Sequence, residues 1–163
     1  MEARRTCILP LERPTSDQHA SFQKTQNKYQ HCQNTASDYA WPDTPKRPDD
    51  LETDKQTVED ALYHTLRDDT DGLHANLVQK AIKDVTSAMS TLATNWRQGF
   101  HVSQPEWNAD GSEWTMTYDK RAATFHKYKV SLGTVDGRVE LRYKLPEELN
   151  GTPYEKYVLN PDW

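Results

Sequence analysis

Ser112-Glu-Trp-Thr-Met-Thr-Tyr-Asp-Lys-Arg121 opens a stretch that closes with Arg138-Val-Glu-Leu-Arg-Tyr-Lys-Leu145. Trp114, Met116 and Tyr118 alternate with Glu113, Thr115 and Thr117. Successive side chains of a strand point to opposite faces, so the alternation predicts a half-buried strand. Val139, Leu141, Tyr143 and Leu145 repeat the pattern against Arg138, Glu140, Arg142 and Lys144. Between them, Tyr128, Val130 and Leu132 alternate with Lys127, Lys129 and Ser131. Asp136-Gly137 supplies the positive φ angles of a two-residue hairpin turn. The expected product is an antiparallel meander with one apolar, aromatic face. Its other face carries Lys127, Lys129, Arg138, Arg142 and Lys144, opposed mainly by Glu140. A basic, curved sheet of this kind suits a nucleic-acid backbone.

Working outward, a chain of 163 residues sits in the one-domain range with room for a modest second module. Apolar residues make up 34%, enough for one core but not for a wholly buried chain. The formal charge of −5 argues against general nucleic-acid affinity, which needs an excess of Lys and Arg. That charge is segregated, however. From Asp43 to Asp71 acids outnumber Lys46, Arg47, Lys55 and Arg67, whereas the stretch from Trp114 to Leu145 is basic. An acidic total around a basic patch also fits a protein adapted to high salt.

Cys7 and Cys32 are too few for a disulfide framework or a four-cysteine zinc site. The brief apolar run near the start is broken by Pro10, so it is too short for a signal-peptide core. No run approaches the ~20 apolar residues of a membrane span. A soluble, cytoplasmic protein with no membrane partner is expected.

Before the meander, Cys7, Leu9 and Leu11 suggest a weak strand that lies at an edge or breaks at Pro10. Thr15 or Ser16 is the expected N-cap of a helix whose face is Phe22, Thr25, Tyr29, Cys32, Ala36 and Tyr39, stopping before Trp41-Pro42. Residues 41–56 read as a proline-rich linker. Thr57-Val-Glu-Asp60 resembles a capping box for a short helix with Val58, Ala61, Leu62, Thr65 and Leu66 on one face. The strongest helix runs from about Leu73 to Arg97, with Val78, Ile82, Val85, Met89, Leu92 and Trp96 on a stripe widened by Leu73, Leu77, Ala81 and Ala88. Asn76, Gln79, Lys80, Lys83 and Asp84 fall outside it, and Gly99 ends the helix. Phe100 to Trp107 reads as a strand interrupted by Pro105, Asn108 to Gly111 as a turn, and Tyr154 to Leu159 as a last strand.

No metal spacing links the six histidines, and no phosphate loop, nucleophile elbow or HExxH is present. Arg67 to Val78 mimics part of a calcium loop, but Arg67 and Val78 stand where carboxylates are required. Two sets carry a binding reading. Tyr118 can stack or hydrogen-bond while Lys120 and Arg121 contact phosphates; equally, these residues make a strand ending in a charged turn. Asn76, Gln79, Lys80 and Lys83 form either a solvated helix face or a face laid against a groove.

Tyr118-Asp-Lys-Arg-Ala-Ala-Thr-Phe125 followed by Val130-Ser-Leu-Gly-Thr-Val-Asp-Gly-Arg138 resembles the central signature of the insertion-sequence TnpB (OrfB) proteins. Leu73-His-Ala-Asn-Leu-Val-Gln-Lys-Ala-Ile82 resembles the helix that precedes it, and Cys7 to Pro14 with the polar helix after it resembles the family's N-terminus. The resemblance implies a transposon-encoded, RNA-guided DNA endonuclease whose partners are guide RNA and target DNA. It implies an α+β fold: an OB-like antiparallel β module, the wedge, with an inserted helical recognition bundle. Residues 1–13 would be the first wedge strand, 14–98 the recognition insertion, and 99–163 the remaining wedge strands, incomplete at the C-terminus and so left with an open edge prone to self-association.

The chain departs from the family in stopping at Trp163, before the first catalytic Asp of the RuvC-like nuclease domain and before its zinc-ribbon cysteines. No catalytic or metal residue is therefore expected here, and magnesium and structural zinc belong to the missing nuclease part. The expected function is binding of guide RNA and the target-adjacent motif without cleavage. The alternative is a truncated remnant or protein-interaction domain with no affinity for nucleic acid. The residues expected to bind are Asn76, Gln79, Lys80, Lys83, Tyr118, Lys120, Arg121, Lys127, Lys129, Arg138 and Arg142.

Overall fold

The computed structural model describes residues 8–108 and 115–145, together with 147, 151 and 155. Helix α1 spans Ser16–Ala40. Thr15 caps it: the Gln18 amide donates to the Thr15 hydroxyl at 3.3 Å, and the Thr15 amide donates back to Gln18 Oε1 at 3.0 Å. The pair satisfies two amides that the first helical turn leaves without partners. Proline disfavours helical backbone in the residue before it, and Trp41 accordingly turns extended ahead of Pro42. Phe22, Thr25, Tyr29, Cys32 and Ala36 are buried as their spacing implies. Tyr39 is not: it is 45% exposed, and Ala40 takes the buried position.

Helix α2 spans Lys55–Asp69 and begins two residues before the expected capping box. Its cap is Asp54, whose carboxylate accepts from both the amide and the hydroxyl of Thr57 at 2.8 Å. A charged acceptor at a helix N-terminus also meets the positive end of the helix dipole, which favours Asp54 over Thr57. Val58 and Leu66 are buried and Leu62 half-buried, while Ala61 and Thr65 face out.

Helix α3 spans Ala75–Arg97. Leu77, Val78, Ala81, Ile82, Val85 and Met89 are fully buried on it, and Ala88, Leu92 and Trp96 are half-buried. At roughly 1.5–3 kcal/mol for each large side chain, this stripe is the main source of stability in the helical layer. The helix stops at Gly99, whose φ of +88° suits the left-handed residue that closes a helix end.

The strands follow the helices, giving an α+β chain. Strand β1 is Ala123–Phe125, β2 is Lys129–Thr134 and β3 is Gly137–Arg142, an antiparallel sheet in the order β1-β2-β3. The register pairs Lys129 with Arg142, Ser131 with Glu140 and Gly133 with Arg138 on one face. The hairpin turn is Val135-Asp136 rather than Asp136-Gly137: Gly137 pairs with Thr134 and alone carries a positive φ, of 114°. Of the expected first strand, residues 1–7 lie outside the described residues, and the part described pairs through a bridge between Leu11 and Tyr143 beside β3. There Pro10 contributes only its carbonyl, accepting from the Lys144 amide at 2.7 Å.

Two apolar cores meet at Met116. The larger gathers Tyr29, Cys32, Val58, Leu66, Leu77, Ile82 and Met89 from the three helices, with Ala122 inserted from the turn before β1. The smaller sets Phe22 of α1 against Val130, Leu141 and Tyr143 of the sheet. Polar contacts fix the β2–β3 turn to α1. The Val135 amide donates to Thr25 Oγ1 at 3.0 Å, and Ser21 and Lys24 reach Asp136 Oδ2 at 2.7 and 3.2 Å.

Two expected strands are not formed. Residues 100–107 have no regular secondary structure, and parts of their backbone are held by side chains of α1 rather than by a strand. Asn34 accepts from the Trp107 amide and donates to its carbonyl, both at 2.9 Å, and Ser37 donates to the Pro105 carbonyl at 2.8 Å. Thr115 to Asp119 is likewise irregular: Tyr118 packs against the helical core, and Met116 sits between that core and the sheet. Trp114 and residues 109–111 lie outside the described residues, as does the expected strand at 154–159 apart from Glu155, which is helical and not in a strand. No helix among those described is long and apolar enough to cross a membrane.

Candidate nucleic-acid interface

Helix periodicity places Gln79, Lys80 and Lys83 on the flank of α3 that faces away from its buried stripe. Lys55 on α2 and Arg121 on the turn before β1 join them around one cleft of about 220 Å³. Arg121 is delivered there by a tight turn. The Ala122 and Ala123 amides donate to the Asp119 carbonyl at 3.0 and 2.8 Å, and Ala122 is buried as the anchor. The Arg121 guanidinium bonds the Asp119 carboxylate at 2.7 and 3.1 Å, and these bonds, with that from the Arg121 amide, pull the Asp119 pKa down to about 2.

The second carboxylate near the cleft is Glu59. Burial raises its pKa, but hydrogen bonds from Lys55 and from Gln79, the latter at 2.7 Å, outweigh burial and hold it below its ordinary value. The cleft thus holds four cations against two carboxylates. Lys80 and Lys83 have no ion pair among the described residues, and Lys83 is exposed. Cations left over in a shared concavity attract anions with several phosphates in a row.

A second basic surface lies on the polar face of the sheet. Arg142 stands opposite Lys129 in the register, and together with His126, Lys127 and Tyr128 they line a cleft of about 440 Å³. Lys129 is paired with Glu140 at 2.7 Å. Arg138 stitches its own sheet, donating to Thr124 Oγ1 at 2.8 Å and to Ser131 Oγ at 3.0 Å. Arg142 is exposed and has no side-chain partner among the described residues.

The expected binding residues therefore divide. Gln79, Lys80, Lys83 and Arg121 come together in one cleft, and Lys127, Lys129 and Arg142 in the other. Lys120 is exposed but lines neither cleft, and Arg138 is engaged within the sheet. Two residues are misplaced by sequence reasoning. Asn76 is buried in the first turn of α3, 6% exposed, because the helix rotates it into the core edge. Tyr118 is half-buried, donates its hydroxyl to the Gly133 carbonyl at 2.9 Å, and has its pKa pushed up to about 12 by burial. Its ring is not offered for stacking.

Tyr128 is a more exposed ring. It belongs to the apolar alternation of β2 in the sequence, yet it sits just before the strand and is 57% exposed, with Lys127 Nζ 5.3 Å from its ring centroid. Lys55 is missed as well, since the charge count puts it in the acidic half. The signal that could have found Tyr128 is its place in His126-Lys-Tyr-Lys129, an aromatic flanked by cations at a hairpin tip.

Among the described residues, no group of three or more His, Cys, Asp or Glu converges as a metal site. Compared with protein-family models, with curated proteins and with solved structures, the chain has no match.

Proposed function

We propose that the chain binds nucleic acid as the wedge and recognition part of a TnpB-like protein, holding guide RNA and the DNA beside the target. One observation carries this. In a chain of net charge −5, Lys55, Lys80, Lys83 and Arg121 come from two helices and a distant turn to share one concavity. Gathering like charges is unfavourable on its own, and a polyanion offsets it. Gln79 in the same cleft supplies an amide able to read base edges next to the phosphates. The order of elements supports an OB-like module with an insertion. Leu11 bridges to the residue after β3, and all three helices lie in the chain between that bridge and β1.

A specific observation favours the alternative, a remnant or protein-interaction domain whose charges only solvate it. Arg121, Lys129 and Arg138 are each already engaged within the chain. Titration of a structured hairpin RNA and a DNA duplex separates the two. Lys80→Ala with Lys83→Ala is expected to weaken both probes by a similar factor, because phosphate contacts carry no sequence information. A wild-type protein that binds neither probe at low salt refutes the proposal and leaves the alternative.

A further inference from the structure

The geometry points to the cleft at the β1–β2 hairpin tip as a seat for one unpaired nucleobase, stacked on Tyr128 with adjoining phosphates on Lys129 and Arg142. The inference rests on the nucleic-acid function proposed above and names the form of nucleic acid that this surface takes, a single strand.

Three features combine here. The first is an aromatic ring left open where burial would be the norm. Tyr128 is 57% exposed although Lys127 already stands 5.3 Å from its centroid. Every base has a π-face, so an exposed ring among cations is a sequence-tolerant platform for single strands. The second is rigidity. The His126 amide donates to the Lys129 carbonyl at 2.8 Å, closing the tip, and the Tyr143 amide donates to the Tyr128 carbonyl at 3.0 Å. A ring whose backbone is fixed on both sides loses little freedom on binding.

The third feature is charge and space. Lys127, Lys129 and Arg142 border the same cleft, which at about 440 Å³ falls in the size range of small-molecule sites. Lys129 is shared with Glu140 at 2.7 Å, while Lys127 and Arg142 have no ion pair among the described residues. Three such cations beside an aromatic ring select a flat group that carries negative charge close by, which describes a nucleotide within a strand. A neutral aromatic ligand would leave the cations unused. A duplex keeps its bases stacked on one another, so it can use the cations of this cleft but not the ring.

Fluorescence anisotropy on the whole chain tests this with three probes: an oligothymidylate of about twelve nucleotides, an abasic strand of the same length, and the corresponding duplex. The wild type is expected to bind the oligothymidylate about 5- to 150-fold tighter than the abasic strand, the range for one stacked base. Tyr128→Ala is expected to abolish that difference while leaving abasic and duplex affinities unchanged, and Tyr128→Trp to keep it. Equal wild-type affinity for thymidylate and abasic strands overturns the stacking seat but leaves the proposed function standing. Failure to bind any probe overturns both. The wild-type comparison decides the matter even if Tyr128→Ala does not fold.

Discussion

The phenol of Tyr29 donates a 2.6 Å hydrogen bond to Asp84 Oδ2, joining α1 to α3 inside the helical layer. The same two groups secure the segment leading to β1. The Thr117 amide donates to the Tyr29 hydroxyl at 3.3 Å, and Thr117 Oγ1 donates to Asp84 Oδ2 at 3.2 Å. This junction sets how the turn carrying Arg121 meets the helix carrying Lys80 and Lys83.

Removing the phenol tests that junction. Tyr29→Phe keeps the ring but takes away a hydrogen bond to a charged acceptor, and a loss of about 1.5–3 kcal/mol in unfolding free energy is expected from urea titration. An unchanged midpoint would mean that the ring alone holds the helices together.

The tyrosines also set an alkaline limit. Burial, and for Tyr29 its bond to Asp84, raises the pKa of this phenol, and burial pushes Tyr118 up to about 12. In the unfolded chain both ionise near pH 10. Above that pH the folded state holds protons that the unfolded state has released, so stability falls as pH rises. It is fully present below about pH 10 and, for Tyr118, is lost progressively up to about pH 12. Urea midpoints that stay level between about pH 9 and pH 11 would contradict this.

Gln26 on α1 is fully buried, and neither its amide nitrogen nor its oxygen has a hydrogen-bond partner among the described residues. An unpaired buried amide costs about 1–3 kcal/mol. Gln26→Met, of similar length and without the polar end, is therefore expected to raise stability by an amount of that order in thermal or urea unfolding. A destabilised variant would show that the amide is satisfied.

Much of this architecture is legible in the sequence where one face of an element is apolar. The stripe of α3 and the alternation of β2 and β3 give all three elements and nearly their ends, and Thr15 and Trp41-Pro42 bracket α1 closely. What is not legible is set by polar partners distant in the chain. Residues 100–107 have strand-like composition, but Asn34 and Ser37 occupy their backbone groups, so no strand forms. Trp114, Met116 and Tyr118 alternate like a strand, yet Tyr118 hydrogen-bonds to Gly133 across the edge of the helical core. At the candidate interface, spacing alone places Gln79, Lys80 and Lys83 on one flank of α3. It cannot reveal that Lys55 closes their cleft, nor that Tyr128 is exposed while Tyr118 is half-buried.

Asp119 restrains the basic cleft by holding the Arg121 side chain. Asp119→Asn keeps an oxygen for the Arg121 amide but removes the negative charge beside Arg121 and Lys80. Tighter binding of duplex DNA and a salt dependence steeper by about one unit are expected. An affinity equal to wild type would show that Arg121 does not face the ligand.

The most direct measurement is the affinity for a structured RNA across a range of salt concentrations, wild type against Lys80→Ala with Lys83→Ala. Phosphate-led binding predicts a straight fall of log affinity with log salt, and a slope shallower by about two units in the variant, one for each lost contact. A wild-type affinity that stays flat from low to moderate salt, or an unchanged slope in the variant, contradicts the claim that this cleft grips a polynucleotide.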